Sequence, residues 1–276
     1  MTATTPTLRS PFFALEPSRM MQIPGHPFPH EIRVALPASY ADSTRTYPVL
    51  WVLDNALETA VAVAGARDLI LVAVGGRPED PVAIPANGRA FDFYPDPDIW
   101  ATGPMGDWLR EEGGGDASPH RGGGAAAFRD FLLDDARPAL AADYRMDPED
   151  QALLGGSAGG WFAVYSMLTR PGGYAKYAPA APALNFSRGL IWQIEEEYAA
   201  AHDDLAAEVF FTCGDAEMVR DSRIECFSSM ARMIERLSFR EYPSLKLGYK
   251  ILLGETHESS YPLALSSSVR ALWPTL

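Results

Sequence analysis

Two uninterrupted apolar runs, Pro48-Val-Leu-Trp-Val-Leu-Asp54 and Leu69-Ile-Leu-Val-Ala-Val-Gly75, constrain the fold more than any other feature of this chain. A strand with one face in water alternates polar and apolar residues. A run that is apolar at almost every position must be covered on both faces. The stretch between them, residues 56–67, is alanine-rich and suits a helix. Glu31-Ile-Arg-Val-Ala-Leu36 alternates, as a half-buried strand does, and residues 208–213 and 246–253 read as further strands. Helical spacing covers residues 125–144, 159–169, 223–237 and 262–273; Pro138, inside the first, is expected to kink or break it. Strands alternating with helices predict an α/β chain with a mostly parallel central sheet and helices on both faces.

Residues 76–124 break this rhythm. They are rich in Pro, Gly and Asp, with Gly triplets at 113–115 and 122–124, and read as a long loop excursion over one end of the sheet. No repeat or linker divides the 276 residues, so a single domain over 1–276 is expected, with an N-terminal extension at 1–29 and a Gly/Pro-rich insertion at 96–124. The net charge of −13 opposes binding to nucleic acid or to anionic membranes, and no apolar run reaches the length of a membrane span. Two cysteines, Cys213 and Cys226, make no disulfide framework, and the N-terminus does not read as a secretory signal; a cytoplasmic location is the simplest expectation. Cys213, Met230 and Met233 fall at core positions.

The chemistry centres on Gly155-Gly-Ser157-Ala-Gly159, which fits Gly-x-Ser-x-Gly between a strand-like run (Gln151-Ala-Leu-Leu154) and a helix-like one. In that setting the serine sits on a sharp strand-to-helix turn with its hydroxyl exposed. Serine needs a base to take its proton. Of five histidines, His26 and His30 are proline-flanked, His120 lies in the excursion, and His202 follows a helical run and is expected to face water. His257, just past the last strand, lies where a parallel sheet places its active-site loops. A third group must orient the imidazole. The loop after the preceding strand offers Asp215 and Glu217, with Asp221 one turn further, and spacing does not choose among them. The order Ser, acid, His is that of α/β-hydrolases. Oxyanion donors are expected at Ala158 N–H and within Asp54-Asn55-Ala56. No metal-ligand spacing or nucleotide-binding loop occurs, so no cofactor or metal is expected.

The stretch from Leu154 to Ala163, Leu-Gly-Gly-Ser-Ala-Gly-Gly-Trp-Phe-Ala, is similar to the nucleophile segment of the enterochelin-esterase-like and esterase D-like "putative esterase" family of the α/β-hydrolase superfamily. Tyr47–Asp54, Arg89-Ala-Phe-Asp92-Phe-Tyr-Pro95, Pro138 to Tyr144, Pro179-Ala-Ala-Pro182 and Gly254-Glu-Thr-His257 resemble further family segments, so the likeness covers residues 30–273. The resemblance implies an α/β-hydrolase fold. It also implies Glu217 as orienting acid, with Asp215 as the fallback, and Ala56 as the second oxyanion donor, although Asn55 stands where the family commonly has Gly. Asn55, Arg89, Asp92 and Trp161 are then expected at the substrate; Trp100, Trp108 and Phe128 could line a pocket or anchor the loop.

These readings predict a serine carboxylesterase acting on a small-molecule or natural-product ester, without nucleic-acid or membrane partners. An acyltransferase using the same acyl-enzyme is the alternative, and a non-catalytic binding protein of the same fold the third reading. Oligomeric state is not legible.

Overall fold

The computed structural model, which describes residues 10–65, 67–76, 85–98, 122–219 and 224–275, joins nine strands into one sheet. They are β1 (Phe13–Leu15), β2 (Arg19–Met21), β3 (His30–Pro37), β4 (Tyr47–Val52), β5 (Ile70–Gly75), β6 (Met146–Gly156), β7 (Lys176–Ala180), β8 (Glu208–Gly214) and β9 (Lys246–Leu252). Helices are α1 (Leu57–Ala64), α2 (Pro85–Phe93), α3 (Ala125–Asp130 and Arg137–Ala141 around a π-helical segment, Phe131–Ala136), α4 (Ala158–Thr169), α5 (Leu190–Ala201), α6 (Cys226–Phe239) and α7 (Ser260–Leu272). The strand order is β1-β3-β5-β4-β6-β7-β8-β9, with β2 also on β3. Pairing from β5 through β9 is parallel; β1, β2 and β5 pair antiparallel with β3.

The apolar runs are central strands, and their side chains divide by parity as a pleated strand requires. Val49, Trp51 and Leu53 join Ile70, Val72, Val74 and Leu153 in one core, closed by α3, α4, α5 and α6. Leu50 and Val52 join Leu71, Ala73, Ala152 and Leu154 in the other, closed by α1 and α7. The sheet is thus covered on both faces, as the unbroken apolar pattern demands. No helix among the described residues is long and apolar enough to cross a membrane.

Three local features differ from the sequence expectation. Pro138 does not end α3, which runs on to Ala141. The helix widens to π geometry over the six residues before Arg137, which relaxes the crowding a proline ring creates against the preceding turn. The stretch 76–124, read as irregular, contains α2; its Asn87-Gly88 pair weakens helix propensity and hid it, while Pro85 suits a first turn. β7 was visible only as a resemblance, because Pro179 lies inside it. Its pairing with β8 runs through Lys176 and Tyr177 and resumes at Ala180, passing over Ala178 and Pro179, the latter having no N–H to donate. Residues 99–121, most of the proposed insertion, lie outside the described residues. In the N-terminal stretch, β1 and β2 extend the sheet.

The topology also locates a crevice. β5 lies on one side of β4 and β6 on the other, so the chain reverses its course across the sheet between β4 and β6. Open α/β sheets bind ligands outside the carboxyl ends of the strands at such a switch point. Asp54-Asn55-Ala56 follows β4 there, and Ser157 follows β6.

Candidate active site

Ser157 links β6 to α4 with φ 55° and ψ −113°, a left-handed backbone uncommon for a residue bearing a Cβ. Such strain costs on the order of 1–3 kcal/mol and persists only where the surroundings enforce it. Ser157 N–H donates to Ala180 O at 2.8 Å, and Ser157 O accepts from Trp161 N–H at 3.0 Å and Ala183 N–H at 3.2 Å. The two preceding glycines answer to close approach. A Cβ on Gly155 would stand 2.4 Å from the Gly159 backbone, and one on Gly156 2.6 Å from the Tyr261 ring.

The loop between β9 and α7 carries His257. Asp215 Oδ1 accepts Gly254 N–H at 2.6 Å, and Glu255 O accepts Ala216 N–H at 3.2 Å, which pins this loop to the turn after β8. Glu217, in that turn and only 1% exposed, places Oε2 2.8 Å from His257 Nδ1. Its Oε1 accepts Gly214 N–H at 3.0 Å. Of the two acids that spacing left open, Glu217 therefore reaches the imidazole and Asp215 secures the loop. Burial pushes the Glu217 carboxyl up, but the hydrogen bonds from His257 and Gly214 outweigh it and hold the group below the ordinary glutamate value. An Nδ1–H directed at this anion leaves the Nε2 lone pair as the basic position of the ring. Asp221 and His120 lie outside the described residues.

Ser157 and His257 line one cavity of about 790 Å³. Asp54 (φ 61°) and Asn55 (φ 53°), which also line it, take consecutive left-handed conformations. Asn55 N–H is used by Val74 O at 3.1 Å, so Ala56, at the entry to α1, carries the next N–H along the turn. Ala158 opens α4, where first-turn N–H groups have no intrahelical acceptor. Arg89 joins the two turns: Nε donates to Asp54 Oδ1 at 2.5 Å and an Nη to Gly156 O at 3.1 Å.

Of the residues expected at the substrate, Asn55, Arg89 and Asp92 line the cavity, and so does Phe128. Trp161 does not line it. It is fully buried on α4, stacked on Tyr165 and tilted against Tyr94, because that helix is buried along almost its whole length and the tryptophan ring fills the core beneath it. Trp100 and Trp108 lie outside the described residues. His202 is exposed and stacks on Tyr198. Cys213 is buried in the core, and burial raises its thiol pKa.

Sequence reasoning missed two groupings. His26 Nε2 lies 2.7 Å from Asp92 Oδ1, and His30 Nε2 lies 2.9 Å from Asp92 Oδ2, all three buried. Cys226 Sγ lies 3.8 Å from His257 Nδ1. With Glu217, these are the sets among the described residues whose ligand atoms fall close enough to hold a metal ion. The nitrogen–oxygen separations in both sets are hydrogen-bond distances, with a proton rather than a cation between the atoms. His26 and His30 stand four apart in sequence, which is a signal, but Asp92 is over sixty residues away from either.

Comparison with known proteins adds to this geometry. The chain matches the family described as "Putative esterase" over residues 28–210. It is 25% identical to the ferri-bacillibactin esterase BesA of Bacillus subtilis, over 83% of this chain and 80% of that one. It is 28% identical to the siderophore triacetylfusarinine C esterase of Aspergillus fumigatus, over 56% of this chain and 52% of that one. Among solved structures, siderophore hydrolase EstA from Aspergillus nidulans superposes with a TM-score of 0.77 at 19% identity, covering 97% of this chain and 98% of that one, which is a likeness of fold. The chain belongs to the "Putative esterase" family, in its enterochelin-esterase-like part, and is a carboxylic ester hydrolase with the α/β-hydrolase fold.

Proposed function

We propose that the protein is a serine esterase that hydrolyses siderophore-type natural-product esters through an acyl-enzyme. Ser157 Oγ attacks the ester carbonyl while His257 Nε2 takes its proton. Glu217 holds the imidazole by Nδ1–H and stabilises the imidazolium that forms. Ala158 and Ala56 N–H groups stabilise the oxyanion. The tetrahedral intermediate collapses, His257 returns the proton to the departing alkoxide, and the alcohol leaves. Water, deprotonated by His257, then attacks the acyl carbon and restores Ser157.

The observation that carries this reading is the 2.8 Å contact between buried Glu217 and His257 Nδ1, in a loop that opens on the same cavity as the strained Ser157 turn. The substrate class is supported by the two curated relatives, whose names assign them to siderophore esters. A cavity of about 790 Å³ has the size of pockets that bury a small organic ligand.

The test is covalent. A fluorophosphonate should label wild type at Ser157, and Ser157→Ala should lose at least about a thousandfold in ester turnover. Full activity in the alanine variant would end the proposal. Product partition in the presence of added alcohols or amines separates hydrolysis from acyl transfer.

A further inference from the structure

The charges around the cavity are unequal. Glu31, Asp54, Glu58, Asp92 and Glu258 line it, against two guanidinium groups. Both cations are engaged. Arg33 meets both carboxylate oxygens of Glu58, and Arg89 is held by Asp54 and Gly156 O. Asp92 is taken by His26 and His30. Glu31 and Glu258 remain, with no ion pair among the described residues.

Both lie close to the chemistry. Glu31, on β3, accepts Asn55 Nδ2 at 2.8 Å, so it is tied to the turn that carries Ala56. Glu258 follows His257 directly and, among the described residues, accepts Thr256 Oγ1 at 3.2 Å. Phe93, Phe128 and Tyr261 supply apolar wall, and low-dielectric walls concentrate the field of the charges they enclose. A substrate anion would meet these carboxylates with both lining guanidinium groups already paired; a substrate ammonium would meet two acceptors.

We propose that this cavity sorts esters by charge, with Glu31 and Glu258 as the specificity-determining residues: it takes esters whose groups beside the scissile bond are cationic or neutral and turns over anionic ones poorly. The proposal rests on the ester-hydrolysis reading above. Among iron chelates it favours those in which three singly charged hydroxamates neutralise the ferric ion over those in which three doubly charged catecholates leave a trianion.

The experiment uses three p-nitrophenyl esters of near-equal length: 4-(trimethylammonio)butanoyl, its uncharged isostere 5,5-dimethylhexanoyl, and glutaryl. Each kcat/KM is divided by the ester's own hydroxide-catalysed rate. The expected order is cationic, neutral, anionic, with about tenfold per unit of substrate charge at low salt, from unlike and like charges several ångströms apart in a partly screened site. The spread should shrink in 0.5 M NaCl. Glu31→Gln and Glu258→Gln should each lower the cationic-to-anionic ratio severalfold, a quantity normalised within each variant and so insensitive to its overall activity. Hydrolysis of the neutral ester with a cationic-to-anionic ratio near one overturns the charge inference and leaves the esterase reading standing. A large ratio unchanged in both variants overturns the assignment to Glu31 and Glu258 and points to the field of the whole −13 chain. Failure to hydrolyse any of the three removes the esterase reading itself.

Discussion

Replacing Glu217 by glutamine is the most revealing single perturbation of this site. The side chain keeps its shape and loses its charge, and the structure dictates how the amide must sit. Gly214 N–H donates to Oε1, so the glutamine oxygen belongs there. Its NH2 group then faces His257 Nδ1, where the carboxylate oxygen stood at 2.8 Å. A donor in that place requires Nδ1 to accept, which puts the ring proton on Nε2 and leaves Ser157 without a base. Turning the amide round would leave the buried Gly214 N–H facing a donor, at a cost of about 1–3 kcal/mol. Loss of the anion beside the imidazolium adds about 3–4 kcal/mol at an effective dielectric constant near 20 and a charge separation of about 4–5 Å. Together these imply about 10³- to 10⁵-fold in kcat/KM at neutral pH, since each 1.4 kcal/mol is about tenfold. The assay is p-nitrophenyl ester hydrolysis, with thermal unfolding to confirm that the variant folds. Asp215→Asn is the comparison: its Oδ1 can still accept Gly254 N–H, and the loss should stay below about tenfold. A folded Glu217→Gln enzyme within tenfold of wild type, beside an inactive Ser157→Ala, would refute the argument that this carboxylate sets the tautomer.

Gly156→Ala should lower the thermal midpoint, because the added methyl meets the Tyr261 ring at 2.6 Å; an overpacking cost of about 1–3 kcal/mol is expected in urea denaturation. Asp92→Ala should destabilise by about 3–5 kcal/mol in the same measurement, since it strands two buried imidazoles, and a change under about 1 kcal/mol would show that the trio is not a structural anchor. Glu217 also predicts an acid limit. Its folded pKa is depressed, so the stability it contributes is present above the ordinary glutamate value of about 4.3 and is lost as pH falls through the lower, folded value. The stability gap between wild type and Glu217→Gln should therefore narrow below about pH 4; a gap independent of pH would contradict the assignment.

Much of the molecule is legible without coordinates where the signal is local. The unbroken apolar runs require a covered parallel sheet, and Gly-x-Ser-x-Gly between a strand and a helix requires a tight turn. Both arise from neighbours in sequence, and the dihedrals of Ser157 and the division of β4 into two cores follow from them. Elements whose composition conflicts with their conformation were less visible. α2 carries an Asn-Gly pair, β7 carries a proline in mid-sheet, and β1 and β2 are too short to display a period.

Long-range contacts were decided only by the tertiary structure. Asp215 and Glu217 are equivalent by spacing, and what separates them is that Gly214 lets the Glu255 loop approach so closely that a Cβ would stand 2.1 Å from its carbonyl oxygen. Trp161 looks like a substrate contact four residues from the nucleophile, yet its helix is enclosed and the ring turns into the core. The grip of Asp92 on His26 and His30, and of Arg89 on Asp54, joins residues that no periodicity relates. Sequence periodicity dictates which face of an element is buried, because that depends on backbone geometry alone. Which side chains then meet depends on how the buried faces pack, and that is a property of the whole chain.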